Sequence, residues 1–428
     1  MKNWIKNNLP LLVIFIMCLV FLPTVISKDA ESESDAIVTA IGVDKQQQEY
    51  QLSLQVVVPT PSSQYNQKLT VVTDTGKDIS SCMSKISLRL GKQVGLSHCK
   101  VFIFSSDVAT EGLTSVFDYL FRAKSNTQDI VLIHTPKSAK EFLTNSADLE
   151  NNLYFSIKNK GSFNENYLYG SQTTLGMYYN DYLGPSKASI ISTVELLDEK
   201  QASGDSQSGS GGSSSSSDSS SGSSGSSGES SGGESSQSGQ SSSPKKLIVN
   251  KGKNIITKDG KLVLELTPEQ GVMINWFKPT TKKGVIVLEN MTEPGFFDNA
   301  SVGVEIDQKQ TSLSTSFEKS TPVLTLNLKL YLRTIEINQQ NYSDQNYKSN
   351  NVNVTEKLKN IISEKVTLQA NQAMQLCKQN NVDVLGVYGH FNKYNNRQFK
   401  KYLKSLQDPS NYLSNVTLKV NVMVEEYL

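Results

Sequence analysis

PVLTLNLKLYLR, Pro322 to Arg333, decides the fold of the C-terminal half. Leucine stands at every even position from Leu324 to Leu332, and Thr325, Asn327, Lys329, Tyr331 and Arg333 stand between them. A period of two is the signature of a strand with one dry and one wet face. Two more stretches alternate in the same way, with Val302, Val304 and Ile306 in one and Val416, Leu418, Val420, Val422 and Val424 in the other. One-sided strands of this kind predict an antiparallel sheet. Leu358, Ile362, Val366, Ala370, Ala373 and Cys377 recur every three to four residues, which predicts a helix over 354–380 laid on that sheet, capped by Asn353 and Glu356.

Working toward the N-terminus, KGVIVL (Lys283 to Leu288) is a strand and Thr267-Pro268-Glu269 opens a helix that runs to Phe277. Asp259-Gly260 is a turn before the strand Lys261 to Leu266. Further helical pieces are expected over Val382 to His390 and Asn395 to Leu406.

Between the halves, Ala202 to Ser243 is almost wholly Ser and Gly. Such a stretch buries no apolar surface against its ordering entropy and is expected to be disordered. As a flexible coil it spans about 35 Å end to end. Its G-x-S-x-G at Gly228 to Gly232 lacks the strand and helix that a nucleophile elbow needs, and is a chance match in a two-letter alphabet.

The N-terminal half carries a hairpin, DAIVTAIGVD (Asp35 to Asp44) followed by QLSLQVVVP (Gln51 to Pro59). Thr75 is expected to cap a helix whose stripe is Ile79, Cys82, Met83, Ile86 and Leu90, with Gly91 ending it. Cys82 on that stripe reads as core. Strands follow at Lys100 to Ser105, Asp129 to His134 and Ala188 to Leu197, and helices at Ala109 to Arg122, Lys137 to Leu143 and Leu153 to Leu183. The last is rich in tyrosine (Tyr154, Tyr167, Tyr169, Tyr178, Tyr179, Tyr182), which suits a core cap or an interface. The fold class is therefore α+β, two mixed halves at 35–200 and 245–428 whose antiparallel sheets are packed by helices and joined by the Ser/Gly linker 202–243.

Residues 1–27 form a targeting segment. Lys2 and Lys6 precede an uncharged run from Leu9 to Ile26, and an acidic tract follows Lys28. The pattern is that of a secretory signal cleaved after Ser27 or an uncleaved membrane anchor, with Lys28 onward outside the membrane. Cys18 is the candidate for lipid attachment, but Met17 occupies the place of the small residue that lipidation requires. A small apolar residue in a membrane segment is the favoured reading of Cys18.

The 428 residues suffice for two or three domains. Lys plus Arg is 42 and Asp plus Glu is 41, a net charge of +1 that gives no global electrostatic case for nucleic acid or an acidic membrane as the main partner. Four cysteines make neither a disulfide scaffold nor a CxxC metal pair, and the three histidines, His98, His134 and His390, are far apart. No acid/base pair, nucleophile motif or phosphate loop is present. Glu265 and Glu269, a conceivable hydrolase pair, sit at a strand-to-helix junction where acids serve as caps. No catalytic, cofactor-binding or metal residue is assigned.

Several stretches together resemble one family: AIVTAIGVD (Ala36 to Asp44), LSHCKVFIFS (Leu96 to Ser105), KDGKLVLELTPEQGVMINWFK (Lys258 to Lys278), KGVIVL and VDVLGVYGHFNKYNNRQFKKY (Val382 to Tyr402). In this order the chain resembles the C subunit of bacterial spore nutrient-germinant receptors, the Ger(x)C family. The resemblance implies a non-enzymatic protein on the outer face of the spore inner membrane. It implies A and B subunits, both membrane proteins, as partners, a small nutrient sensed by the complex, and no cofactor. The alternatives are a cell-envelope hydrolase and a structural envelope protein. The chain departs from the family pattern in its poor lipidation site and in the Ser/Gly insertion.

Overall fold

The computed structural model describes residues 35–58, 68–122, 128–147, 167–198, 246–293, 297–338 and 356–426, with Met17 and Leu153 singly. The apolar N-terminal run (Met17 apart), Cys18, Tyr154, Asn353 and the Ser/Gly tract lie outside them. The chain falls into two compact units. Residues 1–195 and 250–428 make one and residues 196–249 the other.

The smaller unit holds a two-stranded pair, β8 (Glu195–Asp198) with β9 (Lys246–Val249). The larger unit is α+β and holds two sheets. The first begins with β1 (Asp35–Gln46), β2 (Glu49–Val58) and β3 (Lys68–Gly76), an antiparallel meander in which Ile41 faces Leu54 and Leu54 faces Val72. Helix α1 (Ile79–Leu90) follows. The expected cap Thr75 lies inside β3; Asp78 caps α1, accepting from Ser81 N, while the Ser81 hydroxyl accepts from Asp78 N. A carboxylate is the stronger acceptor for the positive end of a helix, and Asp78 directly adjoins the stripe. Gly91, at φ 62°, closes the helix in a conformation that other residues adopt at a cost.

The short β4 (Gln93–Gly95) and then β5 (Val101–Ser105) run parallel to β1. Helices α2 (Ser106–Glu111) and α3 (Thr114–Arg122) replace the single helix expected over 109–122, because the chain breaks at Gly112. β6 (Val131–Thr135), α4 (Ala139–Ala147), α5 (Leu175–Leu183) and β7 (Ala188–Thr193) complete the N-terminal part. β10 (Asn254–Lys258) then pairs with β7, and β11 (Lys261–Leu266) with β10, although both fall after the Ser/Gly tract. Asp259 and Gly260 between them both have positive φ (50° and 80°), as a two-residue hairpin turn requires. The sheet has nine strands in the order β11-β10-β7-β6-β5-β1-β2-β3, with β4 on β1. β1, β5, β6 and β7 are parallel, so the sheet is mixed and not antiparallel throughout.

Helix α6 (Pro268–Asn275) has the expected cap, with Thr267 and Gln270 in a reciprocal capping box. The second sheet runs β12 (Gly284–Glu293), β13 (Phe297–Glu318), β14 (Thr321–Asn338) and β15 (Thr417–Glu426), in that order. Its first two junctions are antiparallel. β14 and β15 are parallel, with Leu326 beside Val420, against the expected antiparallel pairing. The reason is the connection. Helices α7 (Glu356–Gln379), α8 (Val387–Tyr394) and α9 (Asn396–Ser405) lie between the two strands in sequence and return the chain to the end where β14 began, so that Thr417 enters beside Val323. Alternation reports one wet face and says nothing of direction.

Two cores follow. One gathers Ile41, Leu52, Leu54, Ile86, Phe102, Phe104 and Phe117. The other gathers Trp276, Val304, Leu326, Leu328, Ile362, Val366 and Phe391. β7 and β10 serve both. Ile191 and Ile255 face the first core, and Ile190 and Ile256 face the second. Two outer strands have their free carbonyls occupied by side chains, Thr73 and Thr75 of β3 by Arg89 and Lys85, and Val285, Val287 and Thr292 of β12 by Tyr169, Lys365 and Lys357. Occupied carbonyls make poor templates for a foreign strand.

Candidate functional site

The parallel strands bring their carboxyl ends to one edge of the first sheet, the usual place for polar groups in such sheets. Asp44, near the end of β1, is buried. Its carboxylate accepts from Ala139 N (2.7 Å), Lys140 N (2.8 Å) and the Ser138 hydroxyl (2.9 Å). All its reach is spent on the first turn of α4, where a negative charge meets the positive end of the helix.

His134, on β6, is 1% exposed. Its Nε2 lies 2.9 Å from Ser106 Oγ, at the start of α2, and its Nδ1 lies 2.9 Å from Thr193 Oγ1 on β7. A serine hydroxyl on an imidazole, just after a strand and at the start of a helix, has the outline of a nucleophile and base. The third group, however, is a hydroxyl and not the carboxylate that would stabilise an imidazolium. Burial pulls the imidazole down to about 4, which leaves it a weak base at neutral pH. A neutral imidazole has one donor and one acceptor, and two hydroxyls satisfy both. The cluster is a tie between α2, β6 and β7.

A second polar cluster lies under the C-terminal helices. Asp383 accepts from Val387 N (2.9 Å), Tyr388 N (2.8 Å) and the Tyr412 hydroxyl (2.7 Å), so it caps α8 and pins the loop before β15. Burial first, then the Asp383 charge, holds the Tyr412 phenol far above its ordinary range. His390, half-buried on α8, lies beside the Tyr394 ring at 6.1 Å and is pushed downward by burial.

The third is Lys309, 3% exposed on β13. Its ammonium donates to the carbonyls of Lys278 (2.8 Å), Asn275 (3.2 Å) and Trp276 (3.3 Å), and to Thr311 Oγ1 (2.6 Å). A cation there satisfies the free carbonyls that end α6. Burial brings it down to about 7. Lys309 points inward because the register of β13 slips between Ile306 and Gln308. Before the slip Val302, Val304 and Ile306 face the core; after it the odd positions Lys309, Leu313 and Phe317 do. One extra residue turns every later side chain to the other face.

The residues singled out in the sequence are not brought together. His98 is exposed, His134 belongs to the first cluster and His390 to the second. Cys82, Cys99 and Cys377 are free and buried, each thiol pushed up by burial, Cys99 and Cys377 to about 12, which suppresses the reactive thiolate. Glu265 on β11 and Glu269 in the first turn of α6 are both exposed. Among the tyrosines Tyr178 packs on Phe117 (4.9 Å between rings) and Tyr179 on Phe121 (4.1 Å). Among the described residues no group of three His, Cys, Asp or Glu could hold a metal ion. No helix among them is long and apolar enough to cross a membrane.

Sequence reading missed Asp383, Lys309 and the contact of Ser106 with His134. The change of parity at Asp307 was the available signal for Lys309. Asp383, four residues before Val387, was a visible cap. Ser106 and His134 are 28 residues apart and carried no signal.

Two family models match the chain. The "Spore germination protein N-terminal domain" matches residues 29–196, and "Spore germination B3/ GerAC like, C-terminal" matches residues 251–425. The chain belongs to the spore germination receptor C-subunit family. The matches leave out the N-terminal apolar run and the Ser/Gly tract, the two places where the sequence departs from the family. With the family goes a role in spore germination. Among solved structures the chain is similar to that titled "Crystal Structure of the GerBC protein", at 15% identity and a TM-score of 0.49, over 91% of this chain and 97% of that one. No curated protein matches.

Proposed function

We propose that this spore germination protein is a non-enzymatic, extracytoplasmic subunit of a nutrient germinant receptor. It sits on the outer face of the spore inner membrane, held there by residues 1–27 if they are not cleaved. Its partners are the membrane-embedded A and B subunits, and the complex responds to a small nutrient. The observation that carries the reading is the pair of family matches, in order and together spanning the chain on both sides of the Ser/Gly tract. The chemistry of the buried groups supports it. Asp44, His134, Asp383 and Lys309 are each engaged in tying elements together. In this reading residues 202–243 are a flexible insertion between 35–200 and 245–428, no residue is catalytic, and Cys18 carries no lipid.

The test is purification of the tagged full-length chain from dormant-spore membranes in mild detergent. A polytopic membrane protein is expected to co-purify in near-stoichiometric amount. Recovery of the chain alone, with hydrolysis of purified peptidoglycan, would establish the hydrolase alternative instead.

A further inference from the structure

Between Asp383 and Asp408 the chain has no acidic residue, in a protein whose net charge is only +1. Within that interval lie Lys393 on α8 and Arg397, Lys400, Lys401 and Lys404 on α9. All five are exposed, and none of them forms an ion pair or a hydrogen bond among the described residues. Elsewhere cations are commonly engaged, as Lys45 is with Glu111, Arg89 with Asp74 and Lys253 with Glu195.

The four on α9 are also arranged. At 3.6 residues per turn they fall within an arc of about 100°, centred opposite the midpoint between Phe399 and Tyr402. Phe399 and Tyr402 are buried, so the fold fixes the cationic stripe toward solvent. Tyr394, the last residue of α8, is 59% exposed, with the Lys393 ammonium 5.0 Å from its ring centre.

We infer that this face of α8 and α9 rests on an anionic lipid surface. Four of the five cations are lysines, mobile point charges with nothing to hold them in one geometry. They suit a diffuse layer of phosphate headgroups better than a bidentate acidic pocket, where arginine is preferred. A half-apolar ring such as Tyr394 settles at headgroup depth. The uncharged run Leu9 to Ile26 supplies an independent reason for the chain to lie at a bilayer. Attraction of this kind is screened within a Debye length, so contact should weaken as salt rises.

The experiment uses the full-length chain, reconstituted without other proteins into vesicles of phosphatidylcholine alone and of phosphatidylcholine with phosphatidylglycerol at about 3:1. A membrane-impermeant amine reagent is applied briefly, and each lysine is read by mass spectrometry. Labelling of Lys393, Lys400, Lys401 and Lys404 should be about fivefold slower in the anionic vesicles and should recover in roughly 1 M salt. Lys77 and Lys92, which flank α1, serve as references and should not change. In the variant K400Q/K401Q/K404Q, confirmed as folded by circular dichroism, the protection of Lys393 should disappear. Equal labelling of the stripe in both vesicles overturns the inference. So does protection that appears only when spore membrane proteins are added, which would assign the stripe to an acidic protein face. Because the comparison of the two vesicle types is made without receptor partners, its outcome is separate from the germinant-receptor reading.

Discussion

Ile256 of β10 stands directly opposite Ile190 of β7, so a strand that follows the Ser/Gly tract is zipped to one that precedes it. The two isoleucines face the C-terminal core, and their neighbours Ile191 and Ile255 face the N-terminal core. Folding of the two halves is therefore coupled through this pair of strands, and further by contacts such as that of the Asn275 amide with the Leu168 carbonyl, whatever the tract between them does.

Deleting Gly204 to Ser242 removes no residue of either core. The deleted protein should unfold in a single cooperative transition with a midpoint within a few degrees of the intact chain. Ile256→Ala should lower that same transition by about 2–5 kcal/mol. Two transitions, only one of them moved by Ile256→Ala, would show that the halves unfold independently. Thermal unfolding reads the midpoint and chemical denaturation the free energy, each followed by circular dichroism and by Trp276 fluorescence.

His134 should make stability depend on pH. Its native pKa, about 4, lies below the ordinary value of 6.5, so the unfolded chain binds the extra proton first as pH falls. The contribution is complete above pH 6.5 and is lost progressively between pH 6.5 and 4. It amounts to about 3 kcal/mol at a tenfold factor per unit. His134→Gln should be less stable at neutral pH and should flatten the curve in that window. A variant curve parallel to that of the intact protein would contradict the assignment.

Lys309→Met keeps much of the buried stem and leaves the carbonyls of Asn275, Trp276 and Lys278 without the ammonium. Unsatisfied buried acceptors should cost about 1–3 kcal/mol at pH 7. In the intact protein the native pKa near 7 lies below 10.5, so stability should rise with pH across that interval, and the variant should lose the rise. An equally or more stable variant at neutral pH would show that the buried charge costs more than its hydrogen bonds return.

Cys18→Ala should leave the protein in the membrane fraction of spores, because Met17 makes Cys18 a poor lipidation site and the apolar run can hold a bilayer alone. Appearance of the variant in the soluble fraction would show that Cys18 carries the lipid.

The parts of the fold that were legible in the sequence are those set by local pattern. Leucines from Leu324 to Leu332 gave β14, the Asp259-Gly260 pair gave a hairpin turn, and Thr267-Pro268 gave the start of α6. What escaped depends on partners distant in the chain. The direction of β15 follows from the helical return before it, not from its own alternation. The strand Lys261 to Leu266, β11, reads as part of the C-terminal half, yet it joins the first sheet through β10, a strand absent from the sequence reading, whose other partner is β7. The inward turn of Lys309 follows from a one-residue slip, and the meeting of Ser106 with His134 from two parallel strands lying side by side.

The central claim is that the chain acts through its surfaces, with no reactive group, and the nutrient response of spores tests it most directly. Spores lacking the chain should fail to germinate with at least one nutrient. Spores carrying Ser106→Ala or His134→Gln should respond at a rate that tracks the abundance of the variant protein. A variant that is abundant, folded and bound to its membrane partners, yet gives no response, would reveal a chemical or ligand-binding centre at Ser106 and His134 and contradict the account.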